Sequence, residues 1–352
     1  MRAPSVIRAR YLMGTIFRFE APGEDAREVG ESLEAALDEV EHLESLLSNW
    51  RKDSELSLLN ARAGRGAIPV GRELFDVLQA SLRWARITDG AFDPALEPFT
   101  RAFRGGAPPG AHAAPGREWK RMRLEVRESS VLLPRGTGID LGGIGKGFAL
   151  DRAAAVLEKR GIRAALLDAG GQILALGSPP GEPGWRIAVA DPRDRGHPAL
   201  ELVLRDVSAA TSGNSERPGE ILDPETGVPV AGRFSATALA AEATAADALS
   251  TALFVMGPAR GEAWARGRSD VLVVYLEPGS RRQEALHLSG SLARPPHGEF
   301  WLVTARGSGH HRSVHAEMHP ARKHRHSGAG DFGRRTSGER GRCAGLAGSA
   351  RP

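Results

Sequence analysis

The stretch that most constrains the fold is Gly138–Asp151, which reads GIDLGGIGKGFALD. It holds five glycines, two aspartates and one lysine. Glycine adopts backbone conformations that other residues avoid, so this composition predicts a tight turn between a strand and a helix. Such a turn accounts for the glycines, but it does not explain why Asp140 and Lys146 share the loop. A lysine beside a glycine turn is typical of a phosphate-binding loop, and an ordinary turn is the alternative.

Two familiar phosphate-binding patterns do not fit this stretch. The Walker loop requires Ser or Thr after its Gly-Lys pair, whereas Lys146 is followed by Gly147. The dinucleotide fingerprint GxGxxG requires a third glycine where the run from Gly143 through Gly145 reaches Phe148. The loop therefore needs a different interpretation, which depends on the segments around it.

The net charge of +4 over 352 residues is concentrated at the C-terminus. Residues 306–352 hold ten Arg or Lys and three Asp or Glu, a net +7, which leaves 4 − 7 = −3 for residues 1–305. An acidic main body gives no electrostatic reason to expect nucleic-acid binding. We expect one folded domain over 1–305 and a disordered, basic, His/Arg/Gly-rich tail over 306–352, because the tail lacks apolar periodicity.

The tail also holds six of the eleven histidines and the single cysteine, Cys343. The histidine spacing is irregular, so we expect no dedicated metal site there, and one cysteine excludes a disulfide framework. The N-terminus has no apolar run long enough for a signal peptide, and no stretch is long enough to span a membrane. We expect a cytoplasmic protein as the sequence is written, and an exported one if the true start lies upstream.

Hydrophobic periodicity predicts alternating strands and helices along the main body. Helices are predicted at 25–49, 72–87, 150–160 and 244–256. Gly161 ends the third helix, and Gly257 with Pro258 ends the fourth. Strands are predicted within 5–20, on both sides of the Gly170-Gly171 turn, and at 185–192, 199–207, 235–239, 270–276 and 299–305. The glycine- and proline-rich segment 105–116 is predicted to be a loop. Paired strands between long helices favour an α+β fold with mixed, largely antiparallel sheets covered by helices.

Asp247 and Thr251 lie four residues apart on the last predicted helix, so their side chains project from the same face. A carboxylate and a hydroxyl in that arrangement are hard oxygen ligands of the kind that Mg²⁺ accepts. The alternative is a buried polar pair in which the Thr251 hydroxyl bonds to a carbonyl one turn earlier.

Three further segments are polar and rich in turn residues. Pro94 holds Asp93 in an extended conformation, and the same Asp-Pro arrangement recurs at Asp223. The segment 211–217, TSGNSER, suits either a loop or an anion-binding nest of backbone N–H groups. Each segment alone is compatible with an ordinary turn.

Taken together and in this order, the segments resemble one family, the FAD:protein FMN transferases, or ApbE-type flavin transferases. The resemblance runs from Tyr11 to Gly257 and rests on YLMGTIF, SNWRKDSELSLLN, DGAFDPAL, DLGGIGKGFALD, DAGGQILALG, TSGNSER, ILDPETGVPV and ADALSTALFVMG. It implies an ApbE-like, T-fold-like fold in which residues 1–305 form the flavin transferase catalytic domain.

The resemblance also implies an activity: Mg²⁺-dependent transfer of the FMN half of FAD to a Thr or Ser hydroxyl, with release of AMP. The partners it implies are FAD and an acceptor flavoprotein subunit of a redox complex. The residues implied to contact FAD are Met13, Trp50, Ala91, Phe92, Asp93, Asp140, Lys146 and Leu222. The implied Mg²⁺ ligands are the main-chain carbonyl of Gly143, the carboxylate of Asp247 and the hydroxyl of Thr251, with Ser250 close by.

One position departs from the family pattern. Only Pro218 and Gly219 link TSGNSER to the next segment, and Glu220 occupies the place of the family's histidine. If that histidine deprotonates the acceptor hydroxyl, Glu220 replaces it as the catalytic base or the base lies elsewhere. Three hypotheses stay open: a transferase, a Mg²⁺-dependent FAD pyrophosphatase yielding FMN and AMP, and a non-catalytic FAD-binding protein.

Overall fold

A computed structural model describes residues 4–106, 116–192, 194–215, 218–277, 286–292 and 299–303. The predicted tail over 306–352, its boundary at residue 305, and most of the predicted loop at 105–116 lie outside these ranges.

The described part of the chain contains six α-helices, a short 3-10 helix at Glu118–Arg121 and fourteen strands. The helices are α1 Ala26–Leu47, α2 Glu55–Ala61, α3 Arg72–Ile87, α4 Glu97–Arg104, α5 Gly145–Lys159 and α6 Ala243–Ala265. The strands are β1 Ser5–Leu12, β2 Thr15–Pro22, β3 Ala67–Pro69, β4 Arg123–Glu125, β5 Ser130–Leu132, β6 Ala165–Ala169, β7 Gln172–Leu176, β8 Trp185–Asp191, β9 Asp194–Arg205, β10 Val207–Gly213, β11 Ser235–Ala240, β12 Asp270–Leu276, β13 Leu286–Leu292 and β14 Glu299–Val303. Within this part, no helix combines the length and the hydropathy that a membrane crossing requires.

The strands form one large sheet and two small ones. The large sheet has eight strands in the order β1-β2-β6-β7-β10-β11-β12-β13, and each neighbouring pair is antiparallel. A second sheet has the order β14-β9-β8, and a third has the order β3-β5-β4. The α+β class with largely antiparallel sheets is confirmed.

Alternate residues of the large sheet enter two separate cores. In β12, Val273 packs into the core that the helices share, whereas Val274 packs against the β8–β9 sheet. Successive side chains of a strand point to opposite faces, so helices cover one face and the small sheet covers part of the other. The loops and helix ends on the helical side carry the site described below.

The predicted helices at 25–49 and 72–87 match α1 and α3 because each has a continuous apolar stripe. Leu33, Leu37 and Val40 of α1 have no exposed surface. The Asp25 side chain accepts hydrogen bonds from the N–H groups of Arg27 and Glu28, which starts the helix at the expected place.

The predicted helix at 150–160 begins earlier than expected. Helix α5 starts at Gly145, so Lys146 and Gly147 belong to its first turn and not to a loop. A Cβ at Gly147 would collide with the carbonyl oxygen of Ala243 in α6. The glycine is therefore explained by close helix packing, which a single-sequence pattern does not reveal.

One predicted strand and one predicted loop also differ from the observed structure. The run at 199–207 is interrupted at Asp206, which has φ +53° and accepts a hydrogen bond from Gly177 N at 2.6 Å, so β9 ends and β10 begins there. Residues Thr211–Gly213, interpreted as a loop or nest, instead complete β10 and pair with β11.

At the end of the predicted 244–256 helix, Gly257 (φ 70°, ψ 170°) breaks the helical geometry as expected, but a second helical segment continues to Ala265.

Candidate active site

The glycine turn before α5 contacts the middle of α6. A Cβ at Gly143 would lie 2.9 Å from Thr251 Oγ1 and 3.3 Å from the Phe92 ring. Backbone at position 143 can approach these groups only because it carries no side chain. Three segments predicted to be functional, around residues 92, 143 and 251, therefore meet at one point.

Asp247 is held against the first turn of α5. Its side chain is almost fully buried, and Oδ2 accepts a hydrogen bond from Gly147 N at 2.9 Å. The ammonium of Lys146 lies 3.9 Å from the other carboxylate oxygen, Oδ1. The lysine is 29% exposed, so it stands between the buried carboxylate and the surface.

Ser250 lies beside this group but is already engaged within the protein. Its hydroxyl donates to the Asp247 carbonyl at 2.9 Å and lies 2.9 Å from the hydroxyl of Ser212 on β10. A hydroxyl bond back along the helix, the alternative considered for Thr251, is made by the neighbouring residue Ser250. Ser250 joins α6 to the sheet.

The donor set around Asp247 contains one carboxylate and neutral oxygens. Across the described ranges, no group of three or more His, Cys, Asp or Glu side chains is arranged to hold a metal ion. A cation here would take the Asp247 carboxylate, the Thr251 hydroxyl and a carbonyl, with water or phosphate completing the shell. Mg²⁺ binds in that manner, whereas softer metals prefer His and Cys.

The loop that carries Asp140 is fixed by hydrogen bonds from two other segments. The amide of Asn60 in α2 both donates to the Ile139 carbonyl and accepts from Ile139 N, at 3.0 and 2.7 Å. Asp140 N donates to the carbonyl of Pro94 at 2.8 Å. The loop therefore runs beside residues 91–96, which brings two predicted site segments together.

The carboxylate of Asp140 is paired with an arginine that also lies against a tryptophan ring. Thr100 Oγ1 donates to Asp140 Oδ2 at 2.6 Å, and an Arg104 nitrogen lies 3.3 Å from the same oxygen. The guanidinium carbon of Arg104 is 5.0 Å from the centroid of the Trp50 ring, which is 77% exposed. Trp50 thus presents a largely open aromatic face beside a paired charge, an arrangement suited to stacking on a planar ring.

Ala91, Phe92 and Asp93 form a buried wall next to the glycine turn. Asp93 Oδ1 accepts a hydrogen bond from Ala95 N at 2.7 Å, which matches the rigid Asp-Pro turn expected there. Burial raises the pKa of Asp93 to about 6, and the Ala95 N–H and the positive charge of Arg117 only partly oppose this. The carboxyl can therefore gain or lose a proton close to neutral pH.

Met13, Leu222 and Glu220 lie on two further loops. Met13 is in the β1–β2 turn with φ +49°, and its N–H donates to the Glu44 carboxylate of α1 at 2.7 Å. Leu222 is buried and pairs with Pro229 in an isolated bridge. Glu220 is exposed and follows Gly219, whose position lies close to the Phe103 ring in α4. The contacts around Asp247 and Thr251 come from the Gly143 turn, α5 and the Phe92 segment, whereas Met13 is bonded to α1 and Gly219, beside Glu220, lies against α4.

Sequence reasoning missed several residues that hold the site in place. Thr100 and Arg104 lie on α4, a short helix without a predicted boundary, and Asn60 lies on α2. The clearest signal is the segment SNWRKDSELSLLN, which contains both Trp50 and Asn60. The family resemblance assigns a role only to Trp50.

Comparison with known proteins decides the family. A sequence model of the ApbE family matches residues 13–276, more than half of the chain. This chain belongs to the ApbE family. The resemblance inferred from the eight segments is confirmed, and the match spans every predicted site residue.

Two curated ApbE relatives carry an enzyme name. The FAD:protein FMN transferase of Treponema pallidum (strain Nichols) is 32% identical over 307 residues, covering 78% of this chain and 85% of that protein. The FAD:protein FMN transferase of Escherichia coli (strain K12) is 28% identical over 288 residues, covering 75% of this chain and 81% of that protein. The chain is therefore an enzyme of the flavin transferase type.

Solved ApbE structures share the fold. The flavin transferase ApbE from Vibrio cholerae is 25% identical, with a TM-score of 0.70, over 82% of this chain and 98% of that one. The ApbE protein from Thermotoga maritima is 27% identical, with a TM-score of 0.69, over 82% and 97% of the respective chains.

Proposed function

We propose that this chain transfers the FMN half of FAD to a Thr or Ser hydroxyl of an acceptor flavoprotein, with release of AMP, in a Mg²⁺-dependent reaction. The observation that carries the proposal is the contact of the Gly143 backbone with Thr251, next to the buried carboxylate of Asp247. Family membership supplies the flavin chemistry, and this contact supplies oxygen atoms suited to a hard cation.

The proposed metal ligands are the Gly143 carbonyl, the Asp247 carboxylate and the Thr251 hydroxyl. When bound, Mg²⁺ would draw charge from the pyrophosphate of FAD and stabilise the departing AMP. Ser250 would support the site from behind, since its hydroxyl is bonded to the Asp247 carbonyl and to Ser212. Lys146, whose ammonium lies 3.9 Å from Asp247 Oδ1, would neutralise a phosphate oxygen at the exposed side of Asp247.

The proposed FAD pocket extends from the metal ligands to the aromatic face of Trp50. Phe92 and Ala91 would contact a ring from the buried side, and Asp93 and Asp140 would accept hydrogen bonds from the dinucleotide. Met13 and Leu222 would close the pocket as apolar contacts. The support is the continuity of the 91–96 and 138–143 segments, which are hydrogen-bonded to each other.

The proposed transfer is a displacement at phosphorus. The acceptor hydroxyl oxygen forms a bond to the phosphorus on the FMN side, and the bond from that phosphorus to the bridging oxygen breaks. AMP leaves with the bridging oxygen, and the hydroxyl proton passes to a base. We propose Glu220 as that base, because it is an exposed carboxylate at the position of the family's histidine.

The competing pyrophosphatase uses the same groups with water in place of the acceptor hydroxyl. Purified protein incubated with FAD and Mg²⁺, with and without a candidate acceptor subunit of a redox complex, separates the alternatives. Covalent flavin fluorescence on the subunit in a denaturing gel supports transfer, and replacing its acceptor Thr or Ser with Ala should abolish the signal. AMP release without any acceptor would support the pyrophosphatase, and bound FAD without AMP would leave a non-catalytic binding protein.

A further inference from the structure

Helices α5 and α6 are linked by two carboxylates, one on each helix, and each carboxylate accepts hydrogen bonds from the backbone of the other helix. From α6, Asp247 accepts the N–H of Gly147 at 2.9 Å. From α5, Asp151 accepts the N–H groups of Ala243 and Thr244, each at 2.8 Å, and also the Thr244 hydroxyl. Gly147 and Asp151 are four residues apart, as are Ala243 and Asp247, so the two contacts are one helical turn apart. We call these five residues the reciprocal clasp.

Asp151 provides the cap that α6 lacks. The N-cap residue of α6, Glu242, makes no side-chain capping bond. The first N–H groups of the helix, those of Ala243 and Thr244, donate to Asp151 instead. The first N–H groups of a helix have no partner within the helix, and a carboxylate placed there is favoured by the helix dipole. Asp151 therefore fixes both the start and the direction of α6.

The clasp allows little freedom in the distance between the helices. A Cβ at Gly147 would collide with the Ala243 carbonyl and lie 2.8 Å from the Asp247 Cβ. Asp247 stands one turn after Ala243, on the face that meets Gly147. The position of its carboxylate is therefore set by where Asp151 anchors the beginning of α6.

We propose that Asp151 is a positioning residue for the cation site and acts through Asp247. This inference rests on the proposed function, because it assumes that Asp247 binds Mg²⁺. Asp151 itself is directed to the N-terminus of α6 and needs no contact with FAD or the cation. Its loss should weaken cation binding specifically, while the stacking and hydrogen-bonding contacts of FAD remain.

The test is a titration of FAD-saturated protein with Mn²⁺, monitored by electron paramagnetic resonance, in the absence of an acceptor. Asp151→Asn keeps the size of the side chain but turns an NH₂ group toward one of the two N–H donors. We expect the Mn²⁺ dissociation constant to rise about tenfold or more, as for other residues that orient metal ligands. FAD affinity measured without metal should stay at the wild-type value.

Two matched variants separate positioning from general stability. Leu202→Ala removes buried volume from β9, in the second core between the large sheet and the β8–β9 sheet, and should lower the melting temperature without changing Mn²⁺ affinity. Thr244→Val deletes only the hydroxyl that bonds Asp151 and should weaken Mn²⁺ binding less than Asp151→Asn, whereas Thr244→Ser should restore it. This pair keeps the test decisive if Asp151→Asn does not fold.

Unchanged Mn²⁺ affinity in Asp151→Asn and Thr244→Val, with normal binding by the wild type, would overturn this inference alone. Equal losses of FAD and Mn²⁺ affinity would also overturn it, because they would indicate a general structural role. A wild-type protein that takes up no Mn²⁺ in the presence of FAD would overturn the inference together with the proposed function.

Discussion

At the residue scale, Asp247 has both carboxylate oxygens facing α5, one bonded to Gly147 N and one near Lys146. Asp247→Ala should lower transfer at least about 100-fold, because the proposed metal contact, worth about 3 kcal/mol in the transition state, would be lost. Alanine favours the helix, so the fold should survive even though the Gly147 N–H loses its partner.

The measurement is covalent flavin on the acceptor as a function of Mg²⁺ concentration, with circular dichroism as the control for folding. An Asp247→Ala protein that keeps both its activity and its Mg²⁺ dependence would show that the cation binds elsewhere.

Asp93 makes the stability of the free protein depend on pH. Its pKa is about 6 in the folded chain, whereas an aspartate in the unfolded chain has the ordinary pKa of 3.8. Between about pH 4 and pH 6 the folded state keeps a proton that the unfolded state has lost, so the free energy of unfolding falls as pH rises. The full difference corresponds to roughly 3 kcal/mol at neutral pH.

Asp93→Asn removes this ionisation and can still accept the Ala95 N–H. We expect the variant to melt at a higher temperature than the wild type at pH 7.5, with the difference shrinking toward pH 4. Thermal melts of both proteins without FAD at the two pH values give the comparison. An equal difference at both values would mean that the Asp93 carboxyl does not carry a raised pKa.

Glu220 is the residue with the least family support, because a histidine is expected at its position. If it is the base, Glu220→Gln should lower the transfer rate by about 100-fold or more, within the range for general base catalysis, and leave FAD affinity unchanged. Glu220→His is the informative companion, since it restores the family's residue and should recover activity with a different pH profile. Full activity in Glu220→Gln would assign the base to another group.

At the element scale, Gly147 and Gly145 form a matched pair in the first turn of α5. Gly147→Ala would drive a Cβ into the Ala243 carbonyl, so α5 and α6 must separate, at a cost of about 1–3 kcal/mol or more. Gly145→Ala meets only Leu141 Cβ at 3.8 Å, an ordinary contact, and should leave stability equal or slightly higher.

Urea denaturation of the two variants, together with their transfer rates, checks this prediction. Gly147→Ala should be the less stable variant and should lose transfer activity, while Gly145→Ala retains both. Equal behaviour of the two would show that the close approach of the helices is not required.

The difference between α1 and α5 shows what sequence reasoning can predict. The ends of α1 follow from its apolar stripe and from Asp25, both of which are local signals. The start of α5 depends on a carbonyl and a carboxylate that belong to α6, about one hundred residues later in the chain. Contacts of that separation leave no periodic signal, so the glycines favoured a loop.

The same limit applies to the site. Spacing placed Asp247 and Thr251 on one helical face, and the structure agrees. Spacing alone does not predict that Gly143 lies next to Thr251, or that Arg104 lies between Trp50 and Asp140. The family resemblance implies that Gly143 and Thr251 share a cation site. It assigns no role to Arg104, which pairs with Asp140 and lies against Trp50.

At the scale of the whole molecule, we expect the basic tail over 306–352 to be dispensable for the proposed chemistry. Every residue assigned to the site lies within 13–251, and the family match ends at residue 276. Deleting the residues after Arg306 should therefore leave the transfer rate and Mg²⁺ dependence unchanged. A truncated protein that folds but transfers FMN several-fold more slowly would assign the tail a part in acceptor binding.

The proposed cation ligands come from a turn and a helix that are far apart in the sequence, so the proposed reaction would require the Gly143 turn and α6 to keep their relative positions. The most direct measurement is a crystal structure with FAD and Mn²⁺, in which anomalous scattering locates the cation. We predict one anomalous peak at bonding distance, about 2 Å, from the Gly143 carbonyl, the Asp247 carboxylate and the Thr251 hydroxyl, next to the FAD pyrophosphate. Bound FAD with the cation held by other residues, or with no cation at its pyrophosphate, would contradict this assignment.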